Sequence, residues 1–161
     1  MKILVAVKQI AALDEDFELL EDGSGVDPDF LDHELNEWDD YSYEEALQIM
    51  EANEGQNIEV VPVTVGPDDA DDALRRCLAK GGERGIRIWD EAVEGSDPNA
   101  IARILARVVE REQPDVVFTG TLSSDHAFAQ TGMNLAEKLG WPHAAVVNHL
   151  ELNPGDSRAT I

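Results

Sequence analysis

The chain is poor in positive charge: its 161 residues carry 12 Lys and Arg against 34 Asp and Glu, a formal net charge of −22. A field of that sign repels polyphosphate, which argues against nucleic acid and anionic membrane surfaces as partners. It also strains the folded state by self-repulsion unless counter-ions screen it. The composition therefore reads as an acidic, halophilic protein adapted to high salt, with binding of a basic partner as the alternative. Cysteine is almost missing. A single Cys77 excludes an internal disulfide framework, and its place in the helical run ALRRCLAK reads as a small core residue. His33, His126, His143 and His149 keep no metal-ligand or triad spacing with it. Ser124, Asp125 and His126 are consecutive, so they cannot form a relay, whose members converge from separate loops. No apolar run approaches the roughly 20 residues of a membrane span. Met1-Lys2 leads straight into a strand, so we expect no leader peptide, no membrane insertion and a cytoplasmic protein. Neither long nucleotide fingerprint, GxGxxG or GxxxxGK[ST], occurs.

What is present is enough for one domain with a core, since 43% of the residues are hydrophobic. Residues 3–7 form an unbroken apolar strand. Residues 17–27, with Gly23-Ser24-Gly25, suggest a hairpin excursion, and 29–40 read as irregular and acidic. A helix follows over 41–52, capped by Ser42 and Glu45 or, from an earlier start, by Asn36. Residues 58–65 are a second buried strand, in which Pro62 suits an edge or a bulge. A helix over 68–80 stops at Gly81-Gly82, and 85–89 is a short third strand. Asp97 and Pro98 open a third helix lined by Ile101, Ile104, Leu105, Val108 and Val109. A fourth strand at 116–118, a helix from about Ala127 and a fifth strand over 144–152 complete the alternation. That order predicts the α/β class, an open doubly wound parallel sheet of about five strands with helices on both faces.

In such folds ligands bind beyond the carboxyl ends of the strands. Lys8, Gly66 and Gly120 all fall at such ends. The most suggestive stretch is DVVFTGTLSSDHAFAQTG, from Asp115 to Gly132: a buried strand, a glycine-opened loop rich in hydroxyls, and a helix start. The unpaired N–H groups of a helix's first turn and its dipole suit a phosphate or another oxyanion. The plain alternative is a connection in which Ser123, Ser124 or Asp125 caps the helix and no ligand binds.

The runs KILVAVKQI, NEWDDYSYEEAL, VTVGP, LRRCLAKGGERGIRI and VFTGTLSSDHAFAQTGMNLAEKLGWPHAAVVNHLEL together resemble the beta subunit of the electron transfer flavoproteins over essentially the whole chain. The resemblance implies a Rossmann-like, adenine-nucleotide-binding fold that holds a structural AMP, or in one branch a second FAD. It implies that Ala6 with Asn36, Glu37, Trp38 and Asp39 lines the adenosine end, and that Val65 and Gly66 approach the nucleotide. Gly120, Thr121, Leu122, Ser123, Ser124 and Asp125, with Gln130 and Thr131, would wrap the phosphate. Many members carry lysine where this chain has Thr121, so phosphate binding would rest on backbone N–H groups, hydroxyls and Lys8. Asp125, repulsive beside a dianion, would cap the helix or bond a ribose hydroxyl.

By the same resemblance the protein is an electron carrier rather than an enzyme. An alpha subunit holds most of an FAD, dehydrogenases such as acyl-CoA dehydrogenases donate electrons, and a quinone reductase receives them. Residues 1–161 would be a single nucleotide-binding domain truncated at its C-terminus, since the family usually runs on well beyond Ile161. A universal-stress-type nucleotide sensor is the alternative of the same architecture. It fits less well, because Gly132 is followed by Met133 rather than a hydroxyl residue. ATP-pyrophosphatase chemistry needs a serine- and glycine-rich loop where Lys8-Gln9-Ile10-Ala11 stand.

Overall fold

The computed structural model describes residues 1–13, 16–155 and 158–161. The chain begins with β1 (Lys2–Ala6), then leaves the sheet as an antiparallel ribbon of β2 (Gln9–Leu13) and β3 (Leu31–Leu35). It returns through α1 (Glu37–Ala52), β4 (Glu59–Val65), α2 (Asp71–Lys80) and β5 (Ile86–Ile88). Then come α3 (Pro98–Glu112), β6 (Val116–Thr119) and α4 (Thr131–Leu139), and last the two-residue strands β7 (Glu151–Leu152) and β8 (Ala159–Thr160). The main sheet is parallel, in the order β5-β4-β1-β6. From β1 the chain builds outward to β5 and then crosses back to place β6 on the other side. The point where connections diverge therefore lies between β1 and β6, which is where such folds open a crevice.

The strand alternation sets the two layers. Ile3, Val5 and Val60 turn to one face and are covered by Tyr43, Ala46 and Leu47 of α1 and Ala73, Leu74 and Cys77 of α2. Leu4, Val61 and Val63 turn to the other, under Ala102, Leu105, Val108 and Val109 of α3 and Leu135 of α4. The register pairs Ile3 with Val60 and Leu4 with Val61, so neighbours on each face share a layer. Pro62 sits inside β4 rather than at an edge. Val63 turns its polar groups to β1, its carbonyl accepting from Val7 N–H (2.9 Å). Pro62 thus faces the β5 side, where pairing begins only at Val63, and its missing donor leaves no ladder bond unmade. α3 starts as its sequence directs: the Asp97 carboxylate accepts from Ala100 N–H (2.7 Å) and Pro98 opens the first turn.

Four elements differ from the sequence pattern. The excursion is longer than a hairpin over 17–27: that segment contributes one bridge, Leu19 to Val26, inside the β2–β3 ribbon. α1 starts at Glu37 rather than Tyr41, so Ser42 lies within the helix, donating to the Trp38 carbonyl (3.0 Å) instead of capping. The fourth helix starts at Thr131, because Ala127 and Ala129 take left-handed conformations (φ 53° and 52°) that a right-handed helix excludes. This also removes Ser123, Ser124 and Asp125 as helix caps. The main sheet has four strands, not five. Over 144–152 only Glu151–Leu152 is extended and paired, with β8, and Val146 (φ 56°) breaks the run.

Candidate functional site

The carboxyl ends of β1, β4 and β6 open into a cavity of about 650 Å³. Its size falls within the range of about 300–1,000 Å³ usual for small-molecule sites. The floor and one wall are apolar, made by Ala6, Val7, Val63, Val65 and Leu105. The β5–α3 connection contributes Trp89 and residues 93–98, with Ile101 of α3, and a roof comes from the loop after β6 through residues 119–123, His126 and residues 128–131.

A buried carboxylate ties these parts together. Asp39, in the first turn of α1 and 6% exposed, accepts from Lys8 N–H through Oδ2 (2.9 Å) and from Gly120 N–H through Oδ1 (3.0 Å). One side chain therefore fixes the residue that leaves β1 and the residue that leaves β6. Burial pushes its pKa up to about 6, against the opposing pull of Asn36, the two N–H donors and the Lys8 charge. Gly120 has to be glycine here, since a Cβ would overlap Asp39 Oδ1 and meet the Asp39 backbone nitrogen at 3.0 Å. Asn36 works beside it. Its N–H donates to the Lys8 carbonyl (2.9 Å) and its Nδ2 to the Leu122 carbonyl (2.8 Å), so it pins the loop from below. Its Oδ1 is shielded from solvent and has no hydrogen-bond partner among the described residues.

At the roof's far end α4 begins with Thr131, Gly132 and Met133, whose N–H groups precede the first intrahelical bond, Asn134 N–H to Gln130 carbonyl (2.9 Å). Gly132 lets this end approach β6, because a Cβ would overlap Thr119 Oγ1. Among the described residues lining the cavity Lys8 is the one Lys or Arg, and the loop has captured it. Its ammonium donates to Asp125 (2.7 and 2.6 Å) and Ser123 Oγ (3.2 Å) and lies 3.0 Å from His126 Nδ1. Burial works to raise the Asp125 pKa, but the bonds from Lys8 and Ser123 outweigh it and hold the carboxyl below its ordinary range. His126 stacks on Phe128, ring centroids 5.6 Å apart and planes within 4°. An apolar slot and a helix N-terminus beside it suit a ligand with a flat heterocycle at one end and an anion at the other.

Of the residues expected from the sequence, Ala6, Asn36, Asp39, Val65, Gly66, Gly120, Thr121, Leu122, Ser123, Gln130 and Thr131 line this cavity. Glu37, Trp38 and Ser124 are not among its lining residues; Trp38 packs edge-on against Tyr41 and is 43% exposed. Asp125 is at the rim, where it neither caps a helix nor lines the cavity, and instead holds Lys8. The β5–α3 wall was missed. The same rule that selects Lys8, Gly66 and Gly120, a strand's carboxyl end followed by a capped helix, selects it too. Among the described residues no cluster of His, Cys, Asp and Glu could hold a metal ion, and no helix is long and apolar enough to cross a membrane.

A family model described as electron transfer flavoprotein domain matches residues 29–161. An electron transfer flavoprotein subunit beta of Methylophilus methylotrophus is 57% identical over all 161 residues, which cover 61% of that protein. The subunit beta of Bradyrhizobium diazoefficiens is 37% identical over 160 residues, 99% of this chain and 63% of that protein. The mitochondrial subunit beta of Arabidopsis thaliana is 35% identical over 161 residues, 62% of its length. The chain thus spans somewhat less than two thirds of the relatives it matches. On the family match and the identity along its full length, the chain belongs to the electron transfer flavoprotein family, among its beta subunits.

Proposed function

We propose that this chain is the nucleotide-binding part of an electron-carrier subunit and that its cavity holds a structural AMP. The observation that carries the reading is one apolar cavity at the carboxyl ends of β1, β4 and β6, bordered by the Gly120 turn that Asp39 tethers and by the N-terminus of α4. Adenine fits the apolar walls beside Val7, Val63 and Val65, the ribose fits near Asn36, and the phosphate fits the hydroxyls and N–H groups of Thr121, Ser123 and Thr131. A second FAD in place of AMP is the family's other option.

In this reading no residue of the chain acts as acid, base or nucleophile. Reversible electron storage is supplied by an FAD held with an alpha subunit, between donor dehydrogenases such as acyl-CoA dehydrogenases and a quinone reductase. The chain's own residues orient and shield: Asp39 and Asn36 fix the strand ends, and the core under α3 and α4 keeps the crevice in shape. Mass spectrometry of small molecules released by acid from the purified chain tests the proposal. AMP without flavin is the expected result. Flavin in the isolated chain, or ATP turned over by it, would replace this reading. Co-expression with electron transfer flavoprotein alpha subunits is expected to yield a yellow heterodimer.

A further inference from the structure

We infer that Asp125 restricts the cavity to ligands bearing a single phosphate group, by keeping the Lys8 ammonium occupied. This rests on the nucleotide reading of the cavity and adds a basis for selectivity within it. The loop residues 123–127 close on themselves, Ala127 N–H donating to the Ser123 carbonyl (2.8 Å), and present Asp125 at the tip. Both Asp125 oxygens are bonded to Lys8 Nζ, the geometry of an anion at a cationic subsite. The side chain of Asp125 is 19% exposed and that of Lys8 40%, so the pair stands at the mouth rather than deep in the core.

The charge inventory around the pair gives it consequence. The other ionisable side chains lining the cavity are three carboxylates, Asp39, Glu94 and Asp97, and the imidazole of His126, which lies against the Lys8–Asp125 pair. Asp97 is committed to the α3 cap and Asp39 to the two strand-end N–H groups, so neither is free to move away from an incoming anion. A first phosphate is served by the N–H groups of α4 and the loop hydroxyls, which need no cation. A second or third phosphate adds negative charge for which no cation of the cavity remains, since Lys8 is already neutralised. Thr121 contributes a hydroxyl and no charge, so the loop itself cannot compensate.

The test is titration calorimetry of AMP, ADP and ATP, without divalent cations and at one fixed ionic strength, on the wild-type chain and on Asp125→Asn and Lys8→Met. The wild type is expected to prefer AMP to ATP. Asp125→Asn frees the Lys8 charge and is expected to narrow that preference by about tenfold, the scale of one charge-assisted bond, with AMP affinity changed less than ATP affinity. Lys8→Met leaves the Asp125 carboxylate without its lysine, held only by His126 and Ser123, and is expected to widen the preference, a direction that a merely structural role for the pair would not give. An unchanged AMP to ATP ratio in a folded Asp125→Asn protein overturns the inference while leaving AMP binding intact. Failure of the wild type to bind any of the three nucleotides overturns the nucleotide reading itself.

Discussion

At the amino ends of β1 and β4, Lys2 and Glu59 join Arg84, Arg111 and Glu112 in a web of ion pairs, whereas at the carboxyl ends of the same strands one lysine and one buried aspartate do nearly all the polar work. In the web, Glu112 meets Arg84 at 2.6 Å, Arg111 at 3.1 Å and Lys2 at 3.4 Å, and Glu59 meets Arg84 at 2.7 Å. Every carboxylate there has a cation, and the Arg84 guanidinium holds the Glu112 carboxyl below its ordinary range. For Glu59 burial works upward, but Arg84 and Lys2 outweigh it. The opposite end keeps Asp39 paired with N–H groups alone and Asn36 with an acceptor unused. Satisfied charge closes the first end, and an apolar cavity opens the second. One sheet thus separates what holds it together from what it offers to a ligand.

The sharpest break in that comparison is Gly120→Val. Its Cβ would strike Asp39 and lift the loop from β6, so we expect co-purifying nucleotide to be lost and stability to fall by about 2–3 kcal/mol, the scale of forced overpacking. Acid release followed by mass spectrometry, with urea unfolding alongside, reads both; full retention of AMP would remove the site from this end of the sheet.

The two ends also answer pH in opposite senses. The folded pKa of Asp39, about 6, lies above its ordinary 3.8, so the folded chain binds that proton more tightly than the unfolded one. Its contribution is favourable at low pH and is lost as pH rises through about 6, a change of up to roughly 3 kcal/mol. Glu59 and Glu112 are shifted down, so their contribution is present above their ordinary 4.5 and is lost as pH falls below it. Urea midpoints between pH 4 and pH 7 are expected to rise relative to wild type at the upper end in Asp39→Asn. If the two proteins trace parallel curves, Asp39 is not the buried titrating group.

Glu112→Ala is the complementary change. It strips the web of its hub and is expected to reduce stability by about 1–2 kcal/mol while leaving nucleotide content unchanged. Thermal unfolding and acid release on one preparation check both, and a parallel loss of nucleotide would show that the ends are coupled. The smallest effect belongs to Ser124→Ala. That hydroxyl is not part of the cavity lining, so nucleotide retention and stability should stay within about 0.5 kcal/mol of wild type.

Much of this arrangement is legible in the residues. The strand and helix order follows from apolar period and caps, and α3 with its Asp97-Pro98 start falls where the letters place it. Lys8, Gly66 and Gly120 identify the open end because strand ends in this architecture face the crevice. What local pattern misses is set by contacts distant in sequence. Asp39 looks like one of many acidic residues until folding brings the Lys8 and Gly120 N–H groups to it. Asp125 reads as a cap because nothing nearby in sequence announces Lys8, 117 positions away. The left-handed Ala127 and Ala129 delay α4, since alanine by propensity favours the helix that tertiary structure denies it there. Charge is also unevenly placed: no Lys or Arg occurs between Lys8 and Arg75, so the ribbon and α1 carry acid with no cation of their own.

The most direct test of the central claim, that the carboxyl end of the sheet binds an adenylate while the amino end only stabilises, is a residue-resolved titration of the assigned amide NMR spectrum with AMP. The account predicts that the amides of Gly120, Thr131 and Gly132 shift saturably while those of Glu59, Arg84 and Glu112 stay in place. Shifts confined to the amino-end web, or none anywhere at saturating AMP, would contradict it.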